Sequence, residues 1–246
     1  MIYFASDAHL GSNVFEDSFV VEKRLVKWLD SIKHDAKALF LLGDIFDFWF
    51  EYKCVAPRGF TRFLGKIAEM SDMGIEIHFF IGNHDIWIFD YLSKETGVIV
   101  HKEPFITEIE GKKFFLAHGD GLGDNSKKFK FIRYIFHNKL CQILFASVHP
   151  RWGIGLAHFW SRSSRRQGLQ VPTKYLGENR EHLVLFAKDY LLKNSEIDYF
   201  VFGHRHILLD LMLTEKSKII IVGDWIQHYS YAVFDGKEIL LEQLPL

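Results

Sequence analysis

An α/β fold of two facing sheets with helices outside is predicted by three observations. The N-terminal half alternates short apolar runs with amphipathic stretches, the pattern of strands joined by helical crossovers. The C-terminal part instead strings short strand-like runs around turn residues, as in an antiparallel meander. Five of the apolar runs, moreover, stop at clusters of Asp, His, Asn and Gly. Ligands bind outside the carboxyl ends of strands in open α/β sheets, so these clusters are where chemistry is expected.

The elements follow in order. Ile2–Ser6 reads as a strand ending at Asp7-Ala8-His9. Over 18–32, Val21, Leu25, Trp28, Leu29 and Ile32 share one face of a helix, with Glu22, Lys23 and Lys27 on the other. Ala38–Leu42 is a fully apolar strand that runs into Gly43-Asp44-Ile45-Phe46-Asp47. Pro57 is expected to open the next helix, which Gly74 ends. Ile75–Ile81 is a strand ending at Gly82-Asn83-His84-Asp85, and a short helix is expected over Ile86–Glu95, stopping at Gly97. Phe105–Ile109 and Lys113–Ala117 flank the turn Glu110-Gly111, the second running into His118-Gly119-Asp120. One helix is predicted over 127–146. Tyr199–Phe202 leads to Gly203-His204-Arg205-His206, and Leu208–Leu213, Ile219–Val222, Tyr231–Phe234 and Ile239–Leu244 close the fold, the last two joined at Asp235-Gly236.

At 246 residues, with 48% hydrophobic and 25% charged residues, the chain has the composition of one large globular domain, or one domain with an insertion. Two cysteines are no disulfide framework and point to a reducing compartment. No apolar run reaches the ~20 residues of a membrane span, and the first residues lack the basic start of a signal peptide. Charge is unevenly spread. Residues 122–180 carry 11 Lys and Arg against 2 Asp and Glu, while the rest carries 19 against 29. Such a segment is suited to an anionic partner: phosphate groups, nucleic acid or an anionic membrane surface.

A single His-x-His or Gly-Asp at a strand end is weak evidence, because most such residues are structural. Five clusters at equivalent positions are another matter, because buried carboxylates and imidazoles are unfavourable unless paired or bound to metal. Mixed carboxylate, imidazole and amide ligands suit Mn, Fe or Zn, and the lack of cysteine argues against a structural zinc site. The donors exceed what one ion needs and fit two, an arrangement that clamps both oxygens of a phosphoryl transfer.

These five blocks, in this order, resemble the calcineurin-like metallophosphoesterase superfamily, which implies its two-sheet sandwich. The resemblance also implies one ion on Asp7, His9, Asp44 and His206 and a second on Asp44, Asn83, His118 and His204, with Asp44 bridging. His84 is then the residue facing the substrate phosphate, with Asp85 orienting it. Asp47 and Asp120 are expected behind the ligands or as structural residues. Manganese is the expected ion at both sites.

Leu41-Leu42-Gly43-Asp44-Ile45-Phe46-Asp47-Phe48-Trp49-Phe50-Glu51-Tyr52, together with His118-Gly119-Asp120-Gly121-Leu122, the basic segment and Gly223-Asp224-Trp225, is similar to the UDP-2,3-diacylglucosamine hydrolases. That likeness implies cleavage of a UDP-linked acyl sugar to UMP and the sugar 1-phosphate in lipid A synthesis. The setting it implies is cytoplasmic and peripheral, on the inner face of a bacterial inner membrane. Family members from enteric bacteria carry Arg where this chain has His84, which restores the broader superfamily pattern.

The organisation expected is a core of 1–121 and 181–246 with a helical lid of 122–180. Within the lid, Phe129, Ile132, Phe136, Leu140, Ile143 and Leu144 form one stripe, followed by Trp152, Phe159 and Trp160 and then by Arg162, Arg165 and Arg166. Apolar bulk beside guanidinium groups suits acyl chains and a pyrophosphate. Substrate contacts are accordingly expected from Asn83, His84, Asp124, Phe136, Trp160, Arg162, Arg165 and Arg166. The basic run is short for a groove that tracks nucleic acid, so none is expected. Two alternatives stay open: another phosphoesterase acting on a nucleotide or phosphoprotein, and a binding scaffold without catalysis. Oligomeric state is not legible.

Overall fold

The computed structural model describes residues 1–12, 17–123, 126–156 and 174–245, and the backbone alone at 127–130. Its centre is a sandwich of two sheets. One has β1 (Ile2–Ala5), β2 (Ala38–Leu41), β3 (Glu76–Phe80) and β4 (Ile99–His101) in parallel, with β10 (Ser230–Phe234) and β11 (Ile239–Gln243) antiparallel beyond β1. The other runs β5 (Phe105–Ile109), β6 (Lys112–Ala117), β7 (Tyr199–Phe202), β9 (Lys218–Val222), β8 (Leu208–Met212), with β6, β7 and β9 parallel. Helices α1 (Ser18–Ile32), α2 (Thr61–Asp72) and α3 (Tyr91–Thr96) join the first sheet's strands, and α7 (His182–Leu191) precedes β7. Helices α4 (Lys127–His137), α5 (Lys139–Ala146) and α6 (150–156) stand between β6 and α7.

Period-two alternation assigns each strand face. Phe4, Phe40, Leu42 and Phe80 of the first sheet meet Phe114, Leu116, Val201, Ile220 and Val222 of the second across the sandwich. The opposite faces, Tyr3, Ala5, Leu39, Leu41, Ile77 and Phe79, pack on Leu25, Trp28, Leu29, Phe63 and Ile67 of the helices. The second sheet's outer face, including Phe115, Phe200 and Phe202, takes Leu183, Val184 and Ala187 of α7. Strands buried on both faces read as continuous apolar runs, which is why they were conspicuous in the sequence.

Three expectations are corrected. Helix α2 begins at Thr61, after Phe60 in a left-handed conformation, and not at Pro57, because the buried Glu22 carboxylate accepts the Arg62 and Phe63 amides and fixes the first turn. Residues 86–90 are not helical, and α3 starts at Tyr91. Glu51 accepts the amides of Phe89, Asp90, Tyr91 and Leu92 and gathers the chain there into a tight cap. The helix over 127–146 is two helices, since the Asn138 side chain accepts the Leu140 and Cys141 amides and starts α5 anew. Strand β4 and helix α7 were not foreseen; β4 is three residues long, too short for a periodicity to register.

The sandwich interior yields a stability prediction. Phe4 is fully buried and stacks on Phe40 and Phe114, at 5.2 and 5.9 Å between ring centroids. Phe4→Ala should lower stability by about 3–5 kcal/mol, the usual range for truncating a buried Phe. Urea unfolding at matched slope checks this, and a change under 1 kcal/mol would mean the core collapses into the space.

Candidate metal centre

The parallel strands of both sheets end on the same edge, and the polar clusters meet there. Asp7 and His9 follow β1, Asp44 follows β2, Asn83 and His84 follow β3, His118 follows β6, and His204 and His206 follow β7. Backbone hydrogen bonds stitch the loops together. Asp7 N donates to Gly43 O at 3.1 Å, His9 N to Asp44 O at 3.0 Å, and Gly203 N to His118 O at 3.0 Å. The Ser6 hydroxyl donates to the carbonyls of Leu42 and Gly43, pinning β1 to β2 where both end.

Convergence bends the backbone hard. Asp7, His9, Asp44, His204 and His206 all have positive φ, between 45° and 66°. Among the described residues only three other non-glycine positions do. Left-handed conformations are unfavourable for residues with a Cβ and cluster at functional sites. Two glycines keep the approach open. A Cβ on Gly82 would strike the Asp44 carboxylate, and one on Gly203 would strike Ser6 and Asp7.

Each key carboxylate has two tasks. Asp7 Oδ2 accepts the His204 amide at 2.8 Å, leaving Oδ1 buried without a hydrogen-bond partner, 3.3 Å from His206 Nε2 and 3.6 Å from His9 Nε2. Asp44 Oδ1 accepts the His84 amide at 2.8 Å, while Oδ2 stands 3.3 Å from His118 Nε2 and 3.8 Å from His9 Nε2. Asn83 Oδ1 lies 3.4 Å from His118 Nε2. Side-chain ligand atoms of Asp7, His9 and His206 lie within 4.8 Å of one another, as do those of Asp44, His118 and His204. Ring nitrogens of His9 and His206 face each other at 3.3 Å. An orphaned buried oxygen, facing imidazole nitrogens and a carboxylate between the two groups are the donors that two divalent cations need.

Electrostatics agree with that reading. Against burial, the imidazoles of His118, His84 and His9 hold Asp44 well below the usual carboxylate range. Burial pushes Asp7 up and His204 well down. Cations bound here would take the place of the shared protons, since metal ligands are charged carboxylates and neutral imidazoles.

Behind the ligands stand residues that orient them. His206 Nδ1 bonds Asp224 Oδ2 at 3.0 Å, and the other Asp224 oxygen accepts the amides of Ile226, Gln227 and His228. His118 Nδ1 donates to Leu42 O at 2.8 Å. The Asp224 role was missed, although Gly223-Asp224 closes β9 as the other clusters close their strands, and that likeness is the signal that could have found it. Arg205 is clamped by the buried Glu181 carboxylate, Nε at 2.8 Å and Nη2 at 3.2 Å, which braces the loop between His204 and His206.

Other expectations change. Asp85 does not hold His84. Its buried carboxylate accepts the amides of Gly82, Asp44, Ile45 and Phe46, so it organises the Asp44 loop instead. Burial and the neighbouring Asp44 push its carboxyl up to about 7. The His84 ring is held by the Asp47 carbonyl, 3.0 Å from Nδ1. Asp120 pairs with Arg133 of α4 at 3.5 Å. Phe136 packs on Trp87, ring centroids 5.2 Å apart, and its carbonyl accepts the Trp87 indole N–H, so it belongs to the seam between α4 and the core. Asp124, Trp160, Arg162, Arg165 and Arg166 lie outside the described residues.

The calcineurin-like phosphoesterase family profile matches residues 1–208. The chain belongs to this family. A relative from Porphyromonas gingivalis, named UDP-2,3-diacylglucosamine hydrolase, is 48% identical, with 99% of this chain and 97% of the relative covered. A protein of the same name from Neisseria meningitidis is 28% identical over 94% of this chain and 91% of its own length. Among solved structures, vacuolar protein sorting 29 from Cryptosporidium parvum is 11% identical with a TM-score of 0.43, covering 98% of this chain and 95% of that one.

Asp224→Ala should weaken divalent-metal affinity by roughly 10–100-fold, as loss of a carboxylate behind a ligand histidine does. Calorimetric titration with Mn²⁺ checks it, and unchanged affinity in a folded variant would make the His206–Asp224 pair structural only.

Proposed function

We propose that the chain hydrolyses the pyrophosphate of UDP-2,3-diacylglucosamine, releasing UMP and 2,3-diacylglucosamine 1-phosphate. The observation that carries this is the 48% identity to a hydrolase of that name, spanning nearly all of both chains. Support comes from the geometry, in which every expected ligand converges on one edge of the sandwich. Two divalent ions, Mn²⁺ in our reading, would be held by Asp7, His9, Asp44 and His206 and by Asp44, Asn83, His118 and His204. When bound they supply Lewis acidity at phosphoryl oxygens and a more acidic water.

The chain's own residues do the rest. His84 donates Nδ1–H to the Asp47 carbonyl, which fixes the ring and keeps Nε2 for the substrate. In its imidazolium form Nε2–H donates to a phosphoryl oxygen, the part that a guanidinium takes in members with Arg there. Asp7 and Asp44 hold the loops on which His204 and His84 sit, so ligand placement and substrate placement are one structure.

Residues 122–180 serve as the lid in this proposal, with the cell membrane as its partner. Leu140, Ile143, Leu144, Trp152 and Leu156 are 61–72% exposed on α5 and α6. Apolar side chains in a segment rich in Lys and Arg are what an anionic bilayer surface attracts. No helix of the described residues is long and apolar enough to cross a membrane.

Turnover of UDP-2,3-diacylglucosamine by the Mn²⁺-loaded protein, compared with simple phosphodiesters, tests the substrate. Preference for the UDP-sugar is expected, and turnover of simple diesters alone would overturn the assignment. His84→Ala should lower kcat by roughly 10²–10⁴-fold, the scale of one acid–base or oxyanion-type group. Bound metal should persist in that variant, whereas Asp44→Ala should lose metal at both positions. Intact kcat in metal-replete His84→Ala would make the residue structural.

A further inference from the structure

Beside the metal-binding edge lies a cavity of about 140 Å³. Its walls are Gly82, His118 and Gly119 from the ligand loops, His101 at the end of β4 and Lys102 just after it, and Arg133 and His137 from α4. The volume is close to the ~150 Å³ that accommodates a benzene ring in an apolar cavity. It is therefore roomy enough for one six-membered ring.

The wall chemistry narrows the ring further. The His101 imidazole stacks on Phe80 at 4.6 Å and lies against Phe105 at 4.4 Å between centroids, so a flat aromatic shelf reaches the cavity. His101 Nε2 is engaged by His78 Nδ1 at 2.8 Å, and no hydrogen bond among the described residues engages His101 Nδ1 or either nitrogen of His137. Burial and His78 lower His101 to about 4, and burial with Arg133 lowers His137. Neutral imidazoles in the wall can each offer a ring nitrogen to a heterocycle that both donates and accepts. Arg133 is different. It lines the cavity, and its guanidinium donates to the Asp120 carbonyl at 2.9 Å and pairs with the Asp120 carboxylate at 3.5 Å, two residues beyond the ligand His118. A neutral ring in the cavity with its phosphate toward the metals is how a nucleotide would lie.

We propose that this cavity seats the uracil of the nucleotide half of the substrate, read by the open nitrogens of His101 and His137, with Arg133 at its phosphate side. This rests on the UDP-sugar reading above and assigns to α4 a nucleotide-binding role that the sequence did not disclose.

The test compares UMP with ribose 5-phosphate, which keeps the phosphate and lacks the base, in calorimetric titrations of the Mn²⁺-loaded protein. Wild type should bind UMP more tightly. His137→Ala, at the exposed rim, should shrink that preference by about tenfold, the effect of losing one hydrogen bond to a substrate polar group. His101→Phe keeps the stack on Phe80 and removes the ring nitrogens, and it should act in the same direction. Thermal melting confirms that each variant is folded. Equal binding of the two ligands by wild type overturns the assignment, as does a preference that survives in both variants. So does parallel loss of UMP and ribose 5-phosphate affinity, which would place the two histidines at the phosphate. UDP-2,3-diacylglucosamine turnover is measured in parallel. A chain that cleaves it without base-dependent binding refutes the cavity assignment alone. A chain that binds UMP through its base but does not cleave the lipid refutes only the substrate reading.

Discussion

Two aspartates hold the active edge together. Asp7 and Asp44 each give one oxygen to a backbone amide of another cluster, His204 in the second sheet and His84 after β3, and aim the other oxygen at the imidazoles. Loops from two sheets are thus registered to each other by the same groups that would bind the ions. Buried carboxylates on amides are charge-assisted hydrogen bonds, stronger than neutral ones, and they fix ligand positions before any ion arrives. The sandwich core beneath, with Phe4 stacked between Phe40 and Phe114, supports the strands from whose ends these loops leave.

Much of this was legible in the sequence because burial on both strand faces leaves uninterrupted apolar runs, and a polar cluster ending such a run is conspicuous. The bounds of helix α1 were legible because its face is amphipathic, but Glu22, expected on the outer face, is buried. Failures came where a distant side chain overrides local propensity. Glu22 and Glu51, remote in sequence from the amides they accept, set the starts of α2 and α3, and nothing near those starts announces it. The same applies to His84. Adjacency made Asp85 its natural partner, but a tight turn sends neighbouring side chains opposite ways, and the partner is a carbonyl from the β2 loop.

The helices between β6 and α7 show the limits of a helical-wheel reading. One continuous stripe was expected. Asn138 breaks the helix, so Phe136 and Phe145 turn inward onto Trp87 while Leu140, Ile143 and Leu144 turn outward. A single capping side chain thereby divides an apolar segment into a seam that anchors it to the core and a face that remains for another partner.

The left-handed residues carry a consequence for how this family can change. A left-handed conformation costs a residue with a Cβ roughly 1–2 kcal/mol, and Asp7, His9, Asp44, His204 and His206 all adopt it. Glycine would relieve that strain at each of them, while removing a ligand. Selection for folding and selection for chemistry therefore pull in opposite directions at the same codons. In a lineage released from the catalytic demand, the strained histidines, and not Asp7 and Asp44, whose carboxylates also tie the loops together, are where substitution would begin.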